Sequence, residues 1–172
     1  MKSRLAPALG LVGLLATVAL VAVKRRGGAK PSAELLPYQT WVSALSAVER
    51  ERFIQVRAAL RQAELQRGKD GQWPAAFAAP GLGWVQRRHG HYVNYLGVPA
   101  DGARLRWLVL FIEPEPSAIK DPAPPEDDEH HTLGDGTALH VSVWTSPNEG
   151  PVPQAVLPFP AAEEWTQRLS EL

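Results

Sequence analysis

The residues in this chain best suited to chemistry are histidines close to carboxylates. His89 and His91 stand two apart. On one strand they share a face, because side chains alternate with a period of two. His130 and His131 close the acidic run Glu126, Asp127, Asp128 and Glu129. Neutral imidazole and carboxylate are ligands for zinc, and also for copper, nickel or iron. The candidate metal set is therefore His89, His91, His130, His131, Glu129 and Asp128, holding zinc or another divalent transition metal if a hairpin tip meets the acidic loop. The alternative is that these histidines are solvated turn residues. His140, alone in an alternating segment, reads as a strand residue with a satisfied hydrogen bond.

Other chemistry finds little footing. The chain has no cysteine, which excludes disulfides, thiolate metal sites and a cysteine nucleophile. There is no HExxH, no phosphate-binding glycine loop and no dinucleotide fingerprint. Glu113 and Glu115 form a carboxylate pair set among prolines. No catalytic residue and no bound organic cofactor is assigned, and a non-enzymatic protein is expected.

The elements that position these residues start from Leu5 to Val23, an apolar run without a charge. Nineteen residues at about 1.5 Å each give roughly 28 Å, close to the ~30 Å hydrocarbon core of a bilayer. Lys2 and Arg4 precede the run, and Lys24, Arg25, Arg26 and Lys30 follow it. The core is longer than that of a signal peptide, and small-x-small sites are poorly placed. Residues 1–26 are read as an uncleaved single-pass anchor in the inner, cytoplasmic membrane, with 27–32 as a Gly-containing linker. The flanking charges nearly balance. The basic start before an apolar run favours the export of the following domain. The bilayer and a membrane or envelope protein are the expected partners. Nucleic acid is not, because no aromatic and basic residues interleave in a stacking pattern.

Residues 33–172 are of a size for one small domain. Ala33–Leu45 suggests a short helix interrupted at Pro37. Ser46 and Glu49 form a capping box that opens a long helix, about Ala47–Arg67, with Phe53, Val56, Leu60 and Ala63 on one stripe. Trp73 and Phe77 are expected to pin the following loop to the core. Strand-like segments follow at Trp84–Arg88, His91–Val98, Arg104–Glu113 and Thr137–Thr145. The third is continuously apolar, as in a central strand. Residues 114–135 form a Pro-rich, acidic and His-containing loop. Trp165, Leu169 and Leu172 share a face if Ala161–Leu172 is a helix. The expected fold is α+β: a transmembrane helix, then a long helix packed on an antiparallel sheet of about four strands, closed by a short C-terminal helix.

Charge is zero overall but divided. Residues 1–112 hold 16 Lys and Arg against 6 Asp and Glu, whereas residues 113–172 hold 2 against 12. Either the halves neutralise one another across the fold, or a basic surface faces anionic headgroups near the anchor.

An apolar helix, then a helix ending in Ala63-Glu-Leu-Gln-Arg-Gly-Lys-Asp-Gly-Gln-Trp-Pro74, then an antiparallel meander, resembles in outline type IV pilin and pseudopilin subunits. The resemblance covers residues 47–112. It implies a structural subunit of an envelope assembly, with one helix running from the membrane into the sheet. The pilin Gly-aromatic-Glu head of the apolar run is not present here. The leading expectation is a membrane-anchored accessory or interaction module, with metal handling through the His and acidic segments as a further possibility and a pseudopilin-like subunit as the alternative.

Overall fold

The structure is a computed structural model that describes residues 35–100, 102–115, 127 and 129–171. The proposed anchor and linker, Asp128 and most of the Pro-rich loop lie outside the described residues. Residues from Leu35 onward form one compact unit. No helix among the described residues is long and apolar enough to cross a membrane.

In chain order the elements are β1 (Gln39–Trp41), a 3-10 turn (Val42–Ala44), α1 (Ala47–Asp70), β2 (Leu82–His89), β3 (Tyr92–Pro99), β4 (Leu105–Ile112), β5 (His130–Thr132), β6 (Ala138–Pro147), a second 3-10 turn (Pro160–Glu163) and β7 (Thr166–Leu169). Among the described residues the strands form one seven-stranded mixed sheet in the order β1-β7-β6-β4-β3-β2, with β5 pairing β6 beside β7. All pairs are antiparallel except β1 with β7.

This corrects the expected fold. The sheet has seven strands rather than about four, and it is mixed rather than antiparallel. The segment expected as a C-terminal helix is a 3-10 turn followed by β7. Glu164 sits between them with φ +61°, a left-handed conformation that no helix continues through. Among the described residues before α1 there is no regular α-helix either. Residues 39–41 are a strand, and α1 starts at a cap. The Glu49 N–H donates to Ser46 Oγ at 3.3 Å, and the Ser46 N–H donates to Glu49 Oε2 at 2.9 Å. Among the described residues, then, α1 is not the continuation of a helix arriving from the apolar run, as the pilin outline requires.

The helix buries Phe53, Val56, Ala59, Leu60 and Ala63 against the odd-numbered residues of the central strands, including Val93, Tyr95, Trp107, Val109, Phe111, Val141 and Val143. The even-numbered Leu96, Leu108, Leu110 and Trp144 face the other way. They pack under Leu157 from the Pro-rich segment that follows β6 and under Trp165, just before β7. Both faces of the sheet are thus covered, which is why β4 reads as an unbroken apolar run. Trp73 and Phe77 do pin the α1–β2 loop, on Phe111 at 4.2 Å and on Tyr95 at 4.8 Å between ring centres. Tyr95 also donates its hydroxyl to the Pro74 carbonyl at 2.5 Å. Burial pushes that phenol up to about 12.

Candidate functional site

Three of the five histidines fall along one row of the sheet. His89 pairs with Tyr92, Tyr92 with Ile112, Ile112 with His140, and His140 with His130. Neighbouring strands lie about 4.8 Å apart, so His89 and His130 stand roughly 19 Å from each other. One ion cannot bridge that distance. His89 is exposed at the end of β2. His91 is the second residue of the Gly90 turn, its ring tilted against Tyr92 at 4.1 Å between centres, with its Nδ1 3.7 Å from Glu115.

The pair His130 and His131 is split by the pleat of β5. His131 turns toward α1, where its Nδ1 lies 2.5 Å from Glu64 Oε1. His130 faces the other side, with its Nδ1 3.0 Å from Asp127 Oδ1 and its ring 5.3 Å from that of His140. A carboxylate only accepts, so His130 carries its proton on Nδ1. Burial raises the Asp127 carboxyl. Hydrogen bonds from the Glu129 backbone and from His130 outweigh this and hold it below the ordinary carboxylate range. Glu129 turns aside to accept a hydrogen bond from Gln167 Nε2. Burial also pushes His140 down, against the pull of the Glu129 carboxylate. A shallow cavity of about 220 Å³ opens here between Ile112, Pro114, His130 and His140. Three of the five imidazoles therefore already face carboxylates of their own. Among the described residues, no group of three or more His, Asp or Glu is placed to hold a metal ion.

Glu113 is a feature the sequence left among its prolines. Its carboxylate is buried, accepting from Arg67 Nε at 2.8 Å and Trp73 Nε1 at 3.2 Å on one oxygen and from Arg88 Nη2 at 2.7 Å on the other. Arg67 also reaches Asp135 at 3.3 Å. The basic first part of the chain is thus tied to the acidic second part through specific pairs.

The feature most open to a partner is the edge formed by β2. Gly90, with φ +58°, followed by His91 with negative φ, is the glycine-first arrangement of a type II′ turn. A two-residue turn makes His89 and Tyr92 a hydrogen-bonded pair. By alternation Arg87, Val85 and Gly83 also bond to β3. Leu82, Trp84, Gln86 and Arg88 then point their N–H and C=O groups away from the sheet. Pro99, which has no N–H, falls opposite Leu82, a position where none is needed. Among the described residues no other backbone group bonds to that outer edge. The edge is held stiffly. The Trp84 ring lies over Gly97, where an added Cβ would come within 2.8 Å of it, and its Nε1 donates to the Ala79 carbonyl at 2.8 Å. Val85, in the middle of the strand, is 46% exposed.

Comparison of the chain with protein-family models, with curated proteins and with solved structures finds no match.

Proposed function

We propose that this protein is a membrane-tethered, non-enzymatic interaction module whose partner adds an extended strand to the outer edge of β2. The tether in this reading is the apolar run 5–23, with the domain outside the cytoplasmic membrane. The observation that carries it is an eight-residue strand bonded on one side and, among the described residues, open along the other. An open edge is a template for strand addition, giving affinity through backbone hydrogen bonds. Both faces of the same sheet are covered, and of its two terminal strands β1 has three residues and β2 eight, so the β2 edge is the longer one offered to another chain.

The test uses the full-length protein and two variants at one position. Gln86→Pro removes an outward N–H without touching a backbone bond to β3, whereas Gln86→Ala keeps that N–H; both lose the Gln86 Nε2 bond to the Tyr95 hydroxyl, so their difference reads the N–H. A photo-crosslinker at Val85 is expected to trap a partner strand in the wild type and in Gln86→Ala, and to lose it in Gln86→Pro. Equal trapping in all three overturns the reading.

A further inference from the structure

We propose that the strand added at the β2 edge is β2 of a second copy of this chain, paired antiparallel about a two-fold axis at Val85; this rests on the reading of β2 as an accepting edge. Three observations lead there.

The first is parity. The outward residues are Leu82, Trp84, Gln86 and Arg88. Two such strands run antiparallel can join only by matching outward residues to outward residues. Placing Trp84 opposite Gln86 of the mate, and Leu82 opposite Arg88, satisfies this rule and returns the same arrangement on rotation. It adds about eight backbone hydrogen bonds, since each such pair exchanges two.

The second is Val85. In this register it meets its own copy on the axis. That site is a non-hydrogen-bonded pair, where facing Cα atoms approach to about 4.5 Å and side chains touch most closely. A β-branched apolar residue suits it, and this one stands 46% exposed when the edge is open.

The third is charge. Arg87, Arg88 and His89 occupy one end of β2, and Leu82, Gly83 and Trp84 the other. Antiparallel self-pairing sets Arg88 against Leu82 and Arg87 against Gly83, which leaves room for the long side chain. Parallel pairing would set arginine on arginine. Arginines at an edge ordinarily discourage strand addition. Here they exclude one orientation and leave the other free. The resulting contact is isologous and closes as a dimer.

The absence of cysteine supplies the test. In full-length Val85→Cys, two thiols meet at the axis within reach of a disulfide. In Arg87→Cys each thiol faces Gly83 of the mate, so the two lie four residues apart along the strands, about 13 Å. Mild oxidation is expected to link Val85→Cys into a dimer and leave Arg87→Cys unlinked. The wild type is expected to sediment as a dimer, with Gln86→Pro weakening association at least about tenfold and Gln86→Ala changing it little. Equal linking at both positions, or a monomeric wild type, overturns self-pairing. Amide exchange at Trp84, Gln86 and Arg88 then separates the two proposals. Fast exchange in a monomer leaves the edge open as an accepting site for a different strand. Slow exchange in a monomer means that the chain itself covers the edge, and removes both.

Discussion

Asn94 and Leu157 exchange two hydrogen bonds across the outer face of the sheet. The Leu157 N–H donates to Asn94 Oδ1 at 2.5 Å, and Asn94 Nδ2 donates back to the Leu157 carbonyl at 3.5 Å. Asn94 is thereby satisfied as both donor and acceptor in a place where water does not reach. Arg106 fixes the other end of the same segment through Asn148 Oδ1, the Gly150 carbonyl and the Pro151 carbonyl, at 3.0, 2.5 and 2.8 Å. A proline-rich stretch without regular structure is thus bound down as a cover for Leu108 and Leu110.

Asn94→Ala strips the Leu157 N–H of its partner while leaving it buried. A destabilisation of about 2 kcal/mol is expected, read as a lower urea midpoint with unchanged slope. Cleavage by a non-specific protease is expected to move to residues 148–157.

Glu113 is 8% exposed and Arg88 is 55% exposed, so the two ends of their ion pair differ in what they contribute. Glu113→Ala leaves Arg67 Nε and Trp73 Nε1 without their acceptor and is expected to cost about 3 kcal/mol. Arg88→Ala removes a solvated partner and is expected to cost less than about 1 kcal/mol. Urea unfolding of the two variants side by side checks the order.

Gly97→Val places a branched side chain where the Trp84 ring lies. Overpacking of this kind costs about 1–3 kcal/mol. Combining it with Trp84→Leu is expected to recover part of that loss, a coupling that a double-mutant cycle measures directly.

Burial lowers the His140 pKa in the folded protein, so the unfolded chain takes up that proton first as pH falls. Stability is therefore complete above about pH 6.5, the ordinary histidine value. It declines as pH drops from there through the folded value. Asp127 behaves separately. Its folded pKa lies below the ordinary 3.8, so its contribution is lost only in more acidic solution. The urea midpoint is expected to fall between pH 7.5 and 5.5 in the wild type and to fall less in His140→Gln. His130, His131 and Glu129 stay in place in that variant, so the difference isolates His140.

The legible part of this fold was the part written in local pattern. The Ser46–Glu49 capping box and the Phe53–Val56–Leu60–Ala63 stripe mark α1. The long alternating or apolar runs mark β2, β3, β4 and β6. The short strands were not legible. β1, β5 and β7 are three or four residues each, too short to show a period, and distant pairings hold them in the sheet. Trp165 and Leu169 are four apart and so imitate a helical face, although Gln167 between them is buried as a strand residue. At the histidines the residue types were visible but their directions were not. A strand at 130–132 sends His130 and His131 to opposite sides, whereas a loop could have brought them together. Glu113 carried a weak signal, an acid at the end of the most apolar strand, but its three donors come from positions as far as 46 residues away.

Gln39 pairs with Gln167 in parallel, and their side chains bond at 3.0 Å across 128 positions of sequence. This fixes an order of assembly. The β2–β3–β4 meander closes between neighbours and can form while the chain is still being made. β1 emerges from the ribosome long before and has nowhere to sit. Its seat, residues 166–169, arrives 128 positions later, and until then the flank of β6 that β7 will cover stays bare. A newly made chain therefore waits with its first strand unplaced, so the domain completes its sheet after synthesis has passed β7 and not progressively along the way.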